Sequence, residues 1–400
     1  MSKLIRRISF LTKCRLTFSK PPKRQVLIYD VTGAEFIKRI VDPETTDILR
    51  VDMDSLNIPV LLRMIASRKI SMFSYSCMYI RFVDPKILIT FADTEINFYR
   101  FKLHFPDIVT VAIQNGLRTN FGPHKNTGIV QVLKELQASE KISVDYLCLF
   151  GGALTPKYEG LVNIRTISTG GLRNNSIHSN VHRQKQEGLA YISQFPPRWH
   201  TDAAACQYYY EHPVSFATYY AAEAKIARYL AGFCRENNLK FTVCGKRDIS
   251  SADEQKFYSD AVGELPWEFR PRETSSSSYE LLELARIVVT TDSTMGYELL
   301  GRGLRTAFFS IRGEIISKHL KTPIDDLNFG WPLELPDTGP FWTNTASEAE
   351  FSRILNYLMT VSDADWSNEI GKYTEDLMVF DPGNTVLRDL LQRLGADLTN

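Results

Sequence analysis

Short apolar runs, each closed by turn residues and followed by a longer helical pattern, recur along this chain and leave few folds open to it. In the first half they are QVLIYD (25–30), TDILRVD (46–52), KILITFAD (86–93), DIVTVAIQNG (107–116) and DYLCLFGG (145–152). Helix-like segments such as AEFIKRIV, FYRFKLHF and IVQVLKELQA stand between them. Buried strands alternating with helices read as βαβ units, and such units build a parallel sheet covered on both faces. From 168 to 187 the chain turns polar, STGGLRNNSIHSNVHRQKQE, and reads as a mobile loop. The pattern then restarts with a strand at GLAYISQF (188–195) and a long helix from about Ser215 to Asn237. KFTVCGK (240–246), a helix at 252–261, WEFRP, a helix opened by the serine run 275–278, and strands at 287–290 and 306–311 follow. The expected class is α/β, with two Rossmann-like domains facing each other across a cleft. A basic segment at 1–24 precedes an N-terminal domain at 25–195 and a C-terminal domain at 196–345. Helices in 346–400 follow, the last expected to pack back on the first domain.

Charge and cysteine usage exclude several classes. With 47 basic and 46 acidic residues the net charge is +1, so the chain lacks the field of a nucleic-acid binder. Its six cysteines show no CxxC spacing and read as reduced core residues of a cytoplasmic protein. No run approaches the roughly 18 apolar residues a membrane span requires. The first 29 residues carry Lys3, Arg6, Arg7, Lys13, Arg15, Lys20, Lys23 and Arg24 and no acid. Leu4, Ile5, Ile8 and Leu11 recur among them at helical spacing. This segment is either a solvated lead-in or a peripheral contact with the anionic inner face of a membrane.

The stretch RIVVTTDSTMGYELLGRGLRTAFFSIR (286–312) holds the most chemistry. A strand runs into Asp292, Ser293 and Thr294 and then into a helix carrying Gly296 and Glu298. A helix opening behind a strand offers unpaired N–H groups and the positive end of a dipole to a phosphate. Gly296 would let the anion approach without a Cβ in the way, and Glu298, one turn on, would accept from ribose hydroxyls. Asp-Ser-Thr also suits a plain N-cap. Three neighbours favour phosphate: Gly245, Lys246 and Arg247 in CGKRD, Arg270 and Arg272 in FRPRE, and Ser276 in the serine run.

The run DSTMGYELLGRG…AFFSIR, with EQKFY upstream and ITFADTEINFYR…AIQNG in the first half, resembles the bacterial surface carbohydrate (O-antigen or capsule) biosynthesis proteins. These are glycosyltransferases of GT-B architecture. The resemblance spans about 25–312, and a more distant likeness is to retaining β-Kdo transferases. It implies transfer of a sugar from a nucleotide-activated donor onto a surface polysaccharide or its lipid-linked precursor, the more distant likeness pointing to a CMP-linked ulosonic acid such as Kdo as that donor. The donor would be held mainly by the second domain.

Such a transfer needs a stabilised leaving phosphate and either a base or a carboxylate nucleophile. Glu35, behind Gly33, is the first candidate for the base and Asp93 the second, while Asp248 is the candidate nucleophile for a retaining reaction. Gln114 and Asn115 can read sugar hydroxyls, or Asn115 can simply open a turn, and Arg173 can close over an anionic donor. Neither a metal nor a cofactor beyond the donor is expected, the cations and the helix dipole taking the role of stabilising the leaving phosphate. A nucleotide-sugar epimerase, a polyol-phosphate transferase and a non-catalytic assembly scaffold are the alternatives on the same fold.

Overall fold

The computed structural model describes residues 14–51, 54–68, 70–122, 128–139, 142–177, 187–195, 206–247, 252–274 and 276–399. The basic head up to Lys13, Asp248, His178 and His182 lie outside the described residues.

Six parallel strands make the first sheet, in the spatial order Thr46–Leu49, Val26–Tyr29, Ile87–Thr90, Val109–Ile113, Ser143–Leu149, Asn163–Ser168. Val26–Tyr29 and Ile87–Thr90 are buried at every position, which is why they read as unbroken apolar runs. The sheet reverses direction of growth between these two strands, the doubly wound pattern expected from the alternation.

The second sheet runs Glu268–Arg270, Phe241–Cys244, Leu189–Ile192, Ile287–Thr290, Thr306–Phe309, Trp342–Thr343, again parallel throughout. Leu189–Ile192 thus sits at its centre, between Phe241–Cys244 and Ile287–Thr290. This corrects the domain boundary drawn at 195. In chain order the second sheet begins at Leu189, and strand partners are set by long-range pairing that a local pattern does not carry. Helix Phe216–Glu236 covers this sheet, with Ser215 as N-cap accepting from the Thr218 amide at 3.2 Å. Its buried stripe includes Ile226, Ala227, Leu230 and Cys234, and one charge, Glu223.

The polar segment after Ser168 is ordered at its start, against the loop expectation. Leu172–Ser176 is a short helix in which Asn174 and Asn175 are buried. Asn175 donates to the Thr169 carbonyl at 2.7 Å and to Asn384 Oδ1 at 3.1 Å, and its own Oδ1 accepts from the Asp381 amide. Buried amides are tolerated here because each finds partners. The tail helices Glu348–Thr360 and Asp363–Leu377 bury Phe351, Leu355 and Trp366 in the second domain's core. Helix Thr385–Arg393 instead lays Leu387, Leu390 and Leu391 against Val26, Ile28, Ile87 and Ile89 of the first. On one flank of the cleft, Phe121–Gly122 pairs with Cys206–Tyr209, which pairs with His212–Ser215. Among the described residues no helix is long and apolar enough to cross a membrane.

Leu391 is fully buried where the tail meets the first sheet. Leu391→Ala is expected to cost about 2–5 kcal/mol in the first domain's urea unfolding. An unchanged midpoint would show that the tail is not part of that core.

Candidate functional site

In the second sheet the strand order reverses at Leu189–Ile192 and Ile287–Thr290, and the chain leaves these strands as Ser193-Gln194 and Thr291-Asp292-Ser293. The crevice beyond the carboxyl ends of such strands is where open α/β sheets bind ligands. Here it widens into a cavity of about 560 Å³ that includes Phe91, Asn115, Gly116, Thr119 and Arg173 of the first domain on its opposite wall.

Arg312, at the start of helix Arg312–Leu320, is the buried node of this crevice. Its guanidinium pairs with Glu223 and Asp292, donates to Gln194 Oε1 at 2.8 Å and the Tyr219 carbonyl at 3.2 Å, and lies 4.4 Å over the Tyr219 ring. Burial pushes the Glu223 carboxyl up to about 7 in spite of the arginine. Asp292, read from the sequence as a helix cap, is an ion-pair partner instead.

Strand Phe241–Cys244 delivers Gly245 and Lys246 to the cavity. A Cβ on Gly245 would lie 2.8 Å from the Phe269 ring, so the glycine is a packing requirement. The amides that follow are already used: Glu254 accepts from Lys246 N at 2.8 Å and from Arg247 N at 3.3 Å. An anion here would therefore meet the exposed Lys246 side chain and not a backbone cradle. Arg247 stands 3.7 Å from Asp253 and is not among the lining residues.

Helix Thr294–Gly301 opens at Ser293, whose side chain makes no capping bond; the Gly296 amide donates to the Ser293 carbonyl at 2.9 Å, and the Thr294 and Met295 amides have no acceptor among the described residues. The Thr294 hydroxyl accepts from the Leu117 amide at 3.1 Å and ties the helix start to the first domain. Gly296 does not face the cavity. A Cβ there would lie 2.5 Å from Thr290 Cγ2, so it lets the helix sit close on its own sheet and not an anion on the helix. Glu298 does line the cavity; Tyr279 donates to its Oε2 at 2.5 Å, and burial raises its pKa to about 7. No protein donor reaches Glu298 Oε1 among the described residues.

The first-domain expectations divide. Asn115 and Arg173 line the cavity, and the buried Arg173 Nε has no partner among the described residues. Gln114 is buried and structural: its Nε2 donates to the Gly116 carbonyl at 2.9 Å and its Oε1 accepts from Phe150 N at 3.0 Å. Asp93 is fully buried and locked to Arg118, with the Asn115 amide donating to it at 3.1 Å, so it is not available as a base. Glu35 is exposed but does not line the cavity. Arg270 pairs with Glu268 at 2.5 Å beside a separate groove at the sheet edge, and Ser276 donates to Glu280 at 2.8 Å; neither reaches the cavity.

Arg272, named from the sequence beside Arg270, does line the cavity, and so do Arg312, Ser278 and Tyr279, which were not named as site residues. Arg312 closes the quoted run 286–312 directly after a strand, and a cation at a strand's carboxyl end was the available signal. Among the described residues no group of three or more His, Cys, Asp or Glu side chains is gathered as a metal-ligand set.

Two doubly wound sheets with a cavity between them, at the switch point of the second, define the GT-B type of fold. A family model described as "putative O-antigen biosynthesis protein" matches residues 111–395, and the chain belongs to that family of surface carbohydrate proteins. The structure is similar to that of a "putative UDP-N-acetylglucosamine 2-epimerase" from Listeria monocytogenes, at 11% identity and TM-score 0.54, over 94% of this chain and 100% of the other. The UDP co-structure of S. aureus MnaA matches at 9% identity and TM-score 0.51, over 93% and 97%. A further UDP-N-acetylglucosamine 2-epimerase matches at 10% and 0.51, over 94% and 97%. At such identities the likeness is one of fold. No curated protein sequence matches the chain.

A carboxyl whose pKa is higher folded than unfolded binds its proton more tightly in the fold. Glu298 therefore costs stability progressively as pH rises from about 4.3 to about 7. Glu298→Gln keeps an acceptor for Tyr279 and is expected to raise the melting temperature at pH 8 but not at pH 4. Equal effects at both pH values would show that the carboxyl ionises in the fold without penalty.

Proposed function

We propose that the protein is a glycosyltransferase that moves a sugar from a nucleotide-activated donor onto a bacterial surface polysaccharide or its lipid-linked precursor. The observation that carries this reading is the charge of the cavity. Arg173, Lys246 and Arg272 line it together with Arg312, whose charge Glu223 and Asp292 take up, so Glu298 is the lining carboxylate that faces the other three cations. A site of this volume with surplus positive charge and an uncapped helix start suits a diphosphate with its two flanking groups.

In this reading Lys246, Arg272 and the first turn behind Ser293 hold the phosphates and stabilise the leaving nucleotide without a metal. Glu298 Oε1 accepts from ribose hydroxyls while Tyr279 fixes the other oxygen. Arg173 reaches the same ligand from the first domain, and Asn115 and Thr119 meet sugar or acceptor hydroxyls on that wall. The epimerase alternative calls for a tight set of acids and a histidine about the sugar. Among the described lining residues there is no histidine, and the carboxylates are Asp292 and Glu298.

A thermal-shift panel of UDP, UDP-sugars, CDP, CMP, GDP and CMP-Kdo tests this reading. One ligand at about a hundred times its Kd should add roughly 2.7 kcal/mol, a rise of about 3 °C for a chain of this size. Lys246→Ala and Arg272→Ala remove exposed side chains, so they should abolish the rise and leave the ligand-free melt unchanged. Mass spectrometry of the product with an acceptor glycan then separates sugar transfer from epimerisation, which leaves the mass unchanged, and from phospho-group transfer. A response to no nucleotide would overturn the proposal.

A further inference from the structure

One face of the first domain is apolar and basic at once. Six of the nine exposed large apolar side chains among the described residues lie in two stretches that the pairing of Arg15–Thr17 with Ser55–Asn57 joins: Leu16 and Phe18 in one, Leu62, Ile65, Ile70 and Met72 in the other. Leu62 and Ile65 are 61% and 47% exposed and stand three residues apart on one side of helix Ile58–Ala66, while Val60 and Met64 bury the other. Scattered apolar residues on a surface are ordinary, but this concentration is not.

The charge on this face has one sign. From Ser55 to Val83 the chain contains no acid, but it contains Arg63, Arg68 and Arg81. Strand Arg15–Thr17 pairs in parallel with Ser55–Asn57, and the Asn57 side chain donates from Nδ2 to the Ser19 carbonyl at 2.9 Å. That pairing sets Lys20 beside the helix. Lys20, Arg63 and Arg81 then line an open groove together with Leu62, Met78 and Phe82. Lys20 and Arg63 have no carboxylate partner among the described residues, whereas Lys23, at the margin, is paired with Asp84 at 3.0 Å.

We infer that this face docks on an anionic lipid bilayer, with Leu62 and Ile65 entering the headgroup boundary and Lys20, Arg63, Arg68 and Arg81 meeting lipid phosphates. Apolar area inserted among headgroups, ringed by cations of one sign, is the arrangement that binds such a surface. None of these residues lines the cavity between the domains, so the inference stands apart from the donor reading.

Sedimentation of the full chain with phosphatidylcholine vesicles, with and without phosphatidylglycerol, tests it. Binding to the anionic vesicles alone, weakened by salt, is expected. Leu62→Asp/Ile65→Asp should lower the partition coefficient at least about tenfold. Lys20→Gln/Arg63→Gln, which leaves the apolar residues in place, should reduce it and flatten its salt dependence. Both variants should keep the wild-type melting temperature, since the altered side chains are not part of the core. Glutamine at Lys3, Arg6, Arg7 and Lys13 should have the smaller effect. The inference is overturned if the wild type ignores anionic vesicles, if both face variants bind like the wild type, or if the changes at positions 3–13 alone abolish binding. It is equally overturned if the face variants abolish a concentration-dependent dimer and not vesicle binding, which would assign the face to a second copy of the chain.

Discussion

The buried guanidinium of Arg312 is the interaction on which the crevice depends. An unpaired charge at that depth would cost several kcal/mol, and two carboxylates, an amide oxygen, a carbonyl and an aromatic face together offset it. The partners come from three places: Glu223 and Tyr219 from the long covering helix, and Gln194 and Asp292 from the ends of two adjacent strands. The arginine therefore fixes where two strands release their loops, and with them the position of Ser293. It also determines the field in the cavity, because Asp292 would otherwise oppose the cations that face it.

The same economy joins the two domains. Arg302 donates to Asn174 Oδ1 at 2.6 Å and to the Asn174 and Ile177 carbonyls, and it pairs with Glu283 at 2.7 Å. A second-domain cation thus holds the short helix that carries Arg173. On the facing loop, Asp93 and Arg118 hold the backbone at Asn115, and Thr294 receives the Leu117 amide. The cleft walls are set by buried polar contacts with definite partners, and such contacts fix geometry more closely than apolar packing does.

How much of this the sequence revealed depends on the range of the interaction. The strands at 26–29, 87–90, 241–244 and 287–290 are legible because a strand buried on both faces is an unbroken apolar run. The sheet to which Leu189–Ile192 belongs was not legible, since its partners lie some fifty and a hundred residues away. Of the site, Lys246, Ser293, Thr294, Glu298, Asn115 and Arg173 lie where strand ends and a helix start would put them. Gln114 and Asp93 have equally suitable positions, but they are consumed by Phe150 and Arg118, partners no short window displays. Gly296 was misread for a related reason: a glycine one turn into a helix serves an anion or a close-packed strand equally well, and only Thr290 decides between them. Glu223 hides within an apolar stripe, where its charge looks like an interruption until Arg312 is placed opposite.

The distribution of charge separates the work of the two domains. The second supplies most of the cavity's charge, on Lys246, Arg272 and Arg312, from three loops at strand ends. The first supplies a wall of amide, hydroxyl and ring with Arg173 as its one cation there among the described residues. A separate group of its cations, Arg63, Arg68 and Arg81, stands in the stretch Ser55 to Val83, which carries no acid. A near-neutral chain thus holds two positive regions with opposite characters. The one in the cleft is enclosed, and its charges are interleaved with paired carboxylates, which suits a small anion of fixed shape. The one on the outer face is open and interleaved with leucine, isoleucine and methionine, an arrangement that suits an extended anionic surface, where apolar contact and charge act together.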